Sequence, residues 1–200
     1  MRCRDIGTIA AQDEVMTDTS AVADRYRRLA NHLADTVAAV PADRWDSTSP
    51  CEGWTARDVL QHVIDVQSMP LTPVGLSLPP APAVDDDPLG AWTATRDAVQ
   101  AILDDPRHAN LEYDSSMGRT TAAATFDAFI CFDLAIHRWD IARATGADET
   151  IPAEELAAAA ALADRMGDMI RSSGVCGPVV EVPADADEQT RVLGRLGRRA

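Results

Sequence analysis

The chain has no lysine; all 18 of its Lys-plus-Arg positions are arginine. Against them stand 32 Asp and Glu, for a formal charge of −14. A surface of that sign repels phosphate backbones and anionic lipid, so neither nucleic acid nor a membrane surface is an expected partner. Aromatic residues are scarce at 4% while alanine is frequent, a balance that suits helices more than sheets. No run approaches the roughly 18 apolar residues of a membrane span. The opening "MRCRDIGTIAAQDEV" lacks a basic flank followed by a long apolar core, so it does not read as a signal peptide. Residues 1–19 are predicted as a flexible N-terminal tail, ahead of a single helical domain over residues 20–200. Cys3, Cys51, Cys131 and Cys176 have no paired spacing, which argues against a disulfide framework and against a four-thiolate zinc knot. A reduced, cytoplasmic protein is the expectation.

What is present is helical periodicity. Tyr26, Leu29, Ala30, Leu33, Val37 and Val40 recur as one amphipathic stripe, ended by Pro41. A second helix starts in "WTARDVLQHVIDVQSM", where Thr55 and Asp58 form a capping-box signature and Pro70 marks the stop. Residues 70–88 hold six prolines and the run "DDD", which predicts an extended loop long enough to act as a lid. A third helix is expected from Leu89 to Asp105, with Trp92, Val99, Ile102 and Leu103 inward and Pro106 closing it. Residues 108–120 read as irregular with one short extended piece, and no strand pattern is long enough for a sheet. The fourth helix covers about Thr121 to Ala144, with Gly146 as its stop. Pro152 opens a fifth, whose face of Leu156, Ala159, Ala163, Met166 and Ile170 ends at Gly174. An extended arm and a short helix from near Asp187 complete an all-α fold, most simply a four-helix bundle with additions.

The fourth helix carries the anomaly. At about 100° per residue, Asp133, His137 and Asp140 fall in the middle of the apolar arc, with Asp127 and Arg138 on the opposite side. A lone ionised carboxylate in that position costs several kcal/mol or takes up a proton, so something compensates it. One compensation is local: Asp133 and His137, four apart, pair with each other. The other is a metal ion, since a carboxylate and an imidazole one turn apart point at the same spot in a helical core. Metal ligation then needs a third donor from a facing helix. His62, which flanks the stripe of Val59, Val66 and Met69, can supply it or can be a satisfied core histidine. His32 lies about 100° off its helix's stripe and reads as solvent-facing, and His108 lies in a loop. Asp140 is assigned a supporting role, holding His62 or His137 by the other ring nitrogen, with a salt bridge to an arginine as its alternative. Trp54 and Trp139 read as core walls. Cys51, just before the second helix, reads as a small buried hydrophobe, although helix N-termini can stabilise thiolates.

"SPCEGWTARDVLQHV" at 49–63 followed by "DLAIHRWDIARATG" at 133–146 resembles the DinB-like superfamily. Within it, the chain is most similar to the actinobacterial branch related to the N-terminal domain of mycothiol-dependent maleylpyruvate isomerase. The likeness runs from about residue 20 onward and includes the closing "GVCGPVV…ADADEQTRVLGRLGR". It implies a DinB-like four-helix bundle with an extra C-terminal helix and arm. It also implies a divalent metal, zinc or nickel, held by His62, Asp133 and His137, with Asp where the family often has Glu. Three protein ligands leave an open position, the arrangement of a catalytic site. The family precedent puts a low-molecular-weight thiol there, mycothiol in this branch, for attack on a small electrophile. The resemblance thus implies a metal-dependent thiol S-transferase or isomerase-like protein; the alternative is a metal-binding or ligand-sensing bundle without turnover. A counterpart of the isomerase's further C-terminal domain is not expected in this sequence, so transfer to another electrophile is expected over maleylpyruvate isomerisation itself. Bundles of this type often dimerise, so a homodimer is left open.

Overall fold

The Asp18 carboxylate accepts from the backbone N–H groups of Ser20 and Ala21 and so starts the first helix, α1, Thr19–Ala39. The architecture is that of a computed structural model describing residues 18–172 and 176–200; the tail expected over 1–19, all but its last two residues, and the stop expected at Gly174 lie outside the described residues. Tyr26, Leu29, Ala30, Leu33 and Val37 of α1 are buried, as their spacing predicts. The second helix, α2, spans Ala56–Val66 and opens on the expected capping box: Thr55 accepts from the Asp58 backbone, and Asp58 accepts from the Thr55 backbone. It ends before Pro70, where the buried Gln67 side chain donates to the Val63 carbonyl at 2.9 Å and accepts from the Tyr26 hydroxyl at 3.1 Å. Because this cap fixes where α2 begins, Thr55→Ala is expected to cost about 1 kcal/mol, read as a lower urea midpoint with an unchanged slope.

α3 spans Pro88–Leu103, and its Trp92 indole donates to the Ala30 carbonyl at 3.0 Å. Pro106 does not close this helix. It instead begins a one-turn helix, α4, Pro106–Ala109, because a proline suits a first helical position and Asp105 caps it. Beyond it the chain forms a hairpin where no sheet was expected: β1, Glu112–Ser115, pairs antiparallel with β2, Gly118–Thr121. Four residues per strand give too little alternation to read from sequence.

The expected fourth helix has three parts: α5, Ala122–Thr125; a wider π-helical stretch, Phe126–Ile130; and α6, Cys131–Thr145, closed by Gly146 at φ +80°. Thirteen of the fifteen α6 residues are buried, so this helix lies between two layers rather than on a surface. On one side α1, α2 and α3 share its main core; on the other, Phe132, Ile136 and Trp139 pack with Leu156, Leu162 and Leu193. The second layer is why Arg138, placed opposite the apolar arc on the helical wheel, is buried: its guanidinium donates to the carbonyls of Asp148 and Thr150 in the segment leading to α7. His32 likewise is half-buried.

α7, Ala153–Met166, is shorter than expected because Gly167 breaks it at φ +52°, and α8, Met169–Ser172, follows with Ile170 still buried. The last helix, α9, Glu188–Arg195, begins at Asp187, whose carboxylate accepts from the Thr190 backbone. The arm returns along it, with the Val180 N–H donating to the Gly194 carbonyl at 2.9 Å. Gly197, at φ +83°, meets Gly177 so closely that a Cβ there would lie 2.8 Å from the Gly177 Cα. This contact sets Cys176–Pro178 beside Leu196–Arg198. The protein is mostly helical with one small hairpin, and among the described residues no helix is long and apolar enough to cross a membrane.

Candidate metal centre

α2 and α6 pack together, and their facing sides carry the candidate donors. His62 Nε2 lies 3.5 Å from Asp133 Oδ2, and His137 Nε2 lies 4.0 Å from Asp133 Oδ1. The two imidazoles meet edge to face at 4.9 Å between centroids, and one ligand atom from each of the three residues falls within 4.8 Å of the others. The structure therefore brings together all three residues singled out in the sequence.

Asp140 is fully buried, and it contacts His137 rather than His62. Its Oδ2 lies 2.9 Å from His137 Nδ1 and 2.9 Å from Arg198 Nη2, and its Oδ1 lies 3.3 Å from Arg198 Nε. Asp140 thus contacts both a histidine and an arginine. Burial by itself raises this carboxyl, but the Arg198 charge and the His137 hydrogen bond outweigh burial and hold it down at about 2. An ionised Asp140 can only accept, so His137 Nδ1 carries the proton. His137 Nε2 lies on the side of Asp133, 4.0 Å from its Oδ1.

Cys51 completes this network. Its thiol donates to Asp140 Oδ2 at 3.3 Å, and Arg198 approaches its sulfur at 3.8 Å. Burial and the adjacent Asp140 charge push the Cys51 thiol up to about 12, so its place before α2 does not make it a thiolate. Arg198 also reaches Cys176 Sγ at 3.9 Å. Cys51, His137 and Asp140 form a second group with metal-ligand spacing, but the Arg198 guanidinium already bonds the shared carboxylate and disfavours a second cation.

The donors open onto a cavity of about 540 Å³. Trp54 forms part of its wall, 5.1 Å from the His62 ring and 6.5 Å from the His137 ring between centroids. Trp54 packs against the main core, as expected, and also faces the cavity, whereas Trp139 is fully buried in the second layer, as expected. No residue of the proline-rich loop lines this cavity; the facing wall comes from α7 and from the C-terminal arm through Leu162, Met166, Cys176, Pro178 and Leu196. The expected lid is therefore corrected. Leu71 and Val84 are buried in the main core, and Arg57 donates to the Val84 carbonyl at 3.2 Å, which ties the loop away from the donors. Replacing the exposed Pro79–Pro82 tip by a short linker is expected to leave ligand affinity unchanged within twofold, checked by calorimetric titration. Sequence reasoning missed Arg198 as the partner of Asp140, since 58 residues separate them and only the arm's return path joins them.

Residues 26–72 match the family described as the mycothiol maleylpyruvate isomerase N-terminal domain. The matched segment runs from Tyr26 to Thr72 and includes Cys51, Trp54 and His62, so for this segment the resemblance read from the sequence is shown. Two proteins of Mycobacterium tuberculosis are similar to the chain over most of its length: uncharacterized protein MT0763 of strain CDC 1551 / Oshkosh and uncharacterized protein Rv0738 of strain ATCC 25618 / H37Rv. Each is 28% identical over 181 residues, covering 86% of this chain and 97% of the relative. No solved structure matches the chain significantly.

Proposed function

We propose that this protein is a metal-dependent thiol S-transferase or isomerase-like enzyme on a DinB-like four-helix arrangement, working in the cytoplasm with mycothiol and a small electrophile. One observation carries the proposal. His137, held at Nδ1 by Asp140, has its other nitrogen beside Asp133, and one donor atom from each of His62, Asp133 and His137 lies within 4.8 Å of the others. Donors about 3.4 Å apart suit a tetrahedral ion with bonds of about 2.0–2.1 Å; His62 Nε2 lies 3.5 Å from one Asp133 oxygen and His137 Nε2 lies 4.0 Å from the other, with one donor atom of each residue within 4.8 Å of the others. Two imidazoles and one carboxylate form a donor set that zinc and nickel accept. This fit supports His62, Asp133 and His137 as the residues that hold the ion.

A divalent cation held there supplies a Lewis acid that lowers the pKa of a thiol from its free value of about 8.5. The chain's own residues orient and shelter that chemistry. Asp140 keeps His137 in one tautomer, and Arg198 keeps Asp140 ionised. Trp54 packs beside the imidazoles as part of the cavity wall. Cys51, held as a thiol, does not compete with an incoming thiol as nucleophile.

The test is calorimetric titration of mycothiol into metal-loaded protein, followed by thiol-consumption assays with small electrophiles. Saturable mycothiol binding and consumption that stops in His62→Ala support the enzyme. Binding without consumption supports a ligand-sensing module, and absence of binding removes the thiol chemistry altogether.

A further inference from the structure

The cavity beside the donors is built mostly from side chains that the proposed thiol chemistry does not use. Val66 at the end of α2 and Met69 in the turn beyond it, Phe129 and Phe132 before and in α6, and Leu162 and Met166 of α7 make its walls. At about 540 Å³ it has the volume of a site for a small organic molecule. Two methionines and two phenylalanines give an adaptable apolar surface.

Charge is the informative feature. Among the described residues, Arg198 is the one arginine lining the cavity, and its guanidinium is bonded to Asp140 through both Nε and Nη2. The remaining ionisable lining residues besides the two imidazoles and the cysteines are Glu52 at the exposed mouth and Asp133. The chain as a whole carries a formal charge of −14, a sign that disfavours the approach of anions. A carboxylate entering this space would lose its water and find no arginine fork to replace it.

We propose that the electrophile taken by this site is a neutral, apolar molecule and not a carboxylate, an inference that rests on the thiol-transfer reading above. In the displacement form, the S–C bond forms as the bond to the leaving group breaks. The leaving group departs with the electron pair, and the thiol proton passes to solvent. The apolar walls hold the electrophile's carbon skeleton and leave its reactive carbon toward the imidazole side.

The experiment compares two unreactive probes of equal size, naphthalene-2-carboxamide and naphthalene-2-carboxylate, by calorimetric titration of the full chain. It is run after chelation, where the walls alone select, and again after metal loading. The carboxamide is expected to bind at least tenfold more tightly to the chelated protein and to remain the tighter ligand after loading. Equal or tighter carboxylate binding to the chelated protein overturns the proposal, as does binding of neither probe. Met166→Arg, at a half-exposed wall position, is expected to raise carboxylate affinity at least tenfold with metal content unchanged. Met69→Arg, at a 51% exposed position, is the second variant should the first perturb α7. Metal content is measured in parallel. A protein that takes up no metal yet keeps the carboxamide preference supports the wall selectivity and removes the metal reading alone.

Discussion

Asp140→Asn is expected to lower stability by roughly 3–5 kcal/mol, because it leaves a buried cation without its counter-charge. Asparagine fits the same space, so the loss is electrostatic and not steric. Arg198 is 6% exposed, and it directs Nε and Nη2 at the Asp140 carboxylate. Removing both charges together costs less. Arg198→Met in the Asp140→Asn background is expected to recover at least about 1 kcal/mol, read as a positive coupling in a double-mutant cycle of urea midpoints. The same pair sets an acid limit. The Asp140 carboxyl is held at about 2 in the folded protein, below an ordinary value of about 3.9 in the unfolded chain. Its contribution is therefore complete above about pH 4 and is lost as the pH falls toward 2. In Asp140→Asn this part of the acid dependence is expected to disappear.

Chelation of the metal-loaded protein is expected to lower Tm by roughly 5–10 °C. A ligand at a hundred times its Kd stabilises the folded state by about 2.7 kcal/mol. For a chain of this size each kcal/mol corresponds to about 2–4 °C. The shift tests the proposed centre without reference to turnover, since it needs only that the folded state bind the ion better than the unfolded one. His62→Ala is the informative variant because the side chain is 31% exposed, so its removal leaves little cavity and a small direct cost. In that variant the chelator-dependent shift is expected to vanish. A shift of the same size in His62→Ala would show that metal binds elsewhere.

Local chemistry made much of the fold readable. Thr55 and Asp58 announced the start of α2, Pro41 the end of α1, and Gly146 the end of α6, because caps and stops act within a few residues. Asp133 and His137 stood out for the same reason: an i, i+4 pair shares one face of any helix. That His62 faces them is a matter of which helices pack together, which periodicity does not contain; there the resemblance supplied what spacing did not. Arg198 was out of reach, since it arrives beside Asp140 through the close approach of Gly177 and Gly197. The burial of Arg138 was out of view because a helical wheel shows one helix and cannot show a second layer covering its far side. The proline-rich segment was read correctly as a long loop, although Thr72–Val74 forms a 3₁₀ turn, and the burial of Leu71 and Val84, which decides the side on which it lies, depends on tertiary packing.

The account depends on a cation joining α2 to α6, and elemental analysis of protein produced without a histidine tag tests that most directly. About one equivalent of a divalent metal per wild-type chain is expected, with none retained by His62→Ala at unchanged helical content. A wild type that carries no metal and takes none up on dialysis, or a His62→Ala variant that carries as much as the wild type, would contradict it.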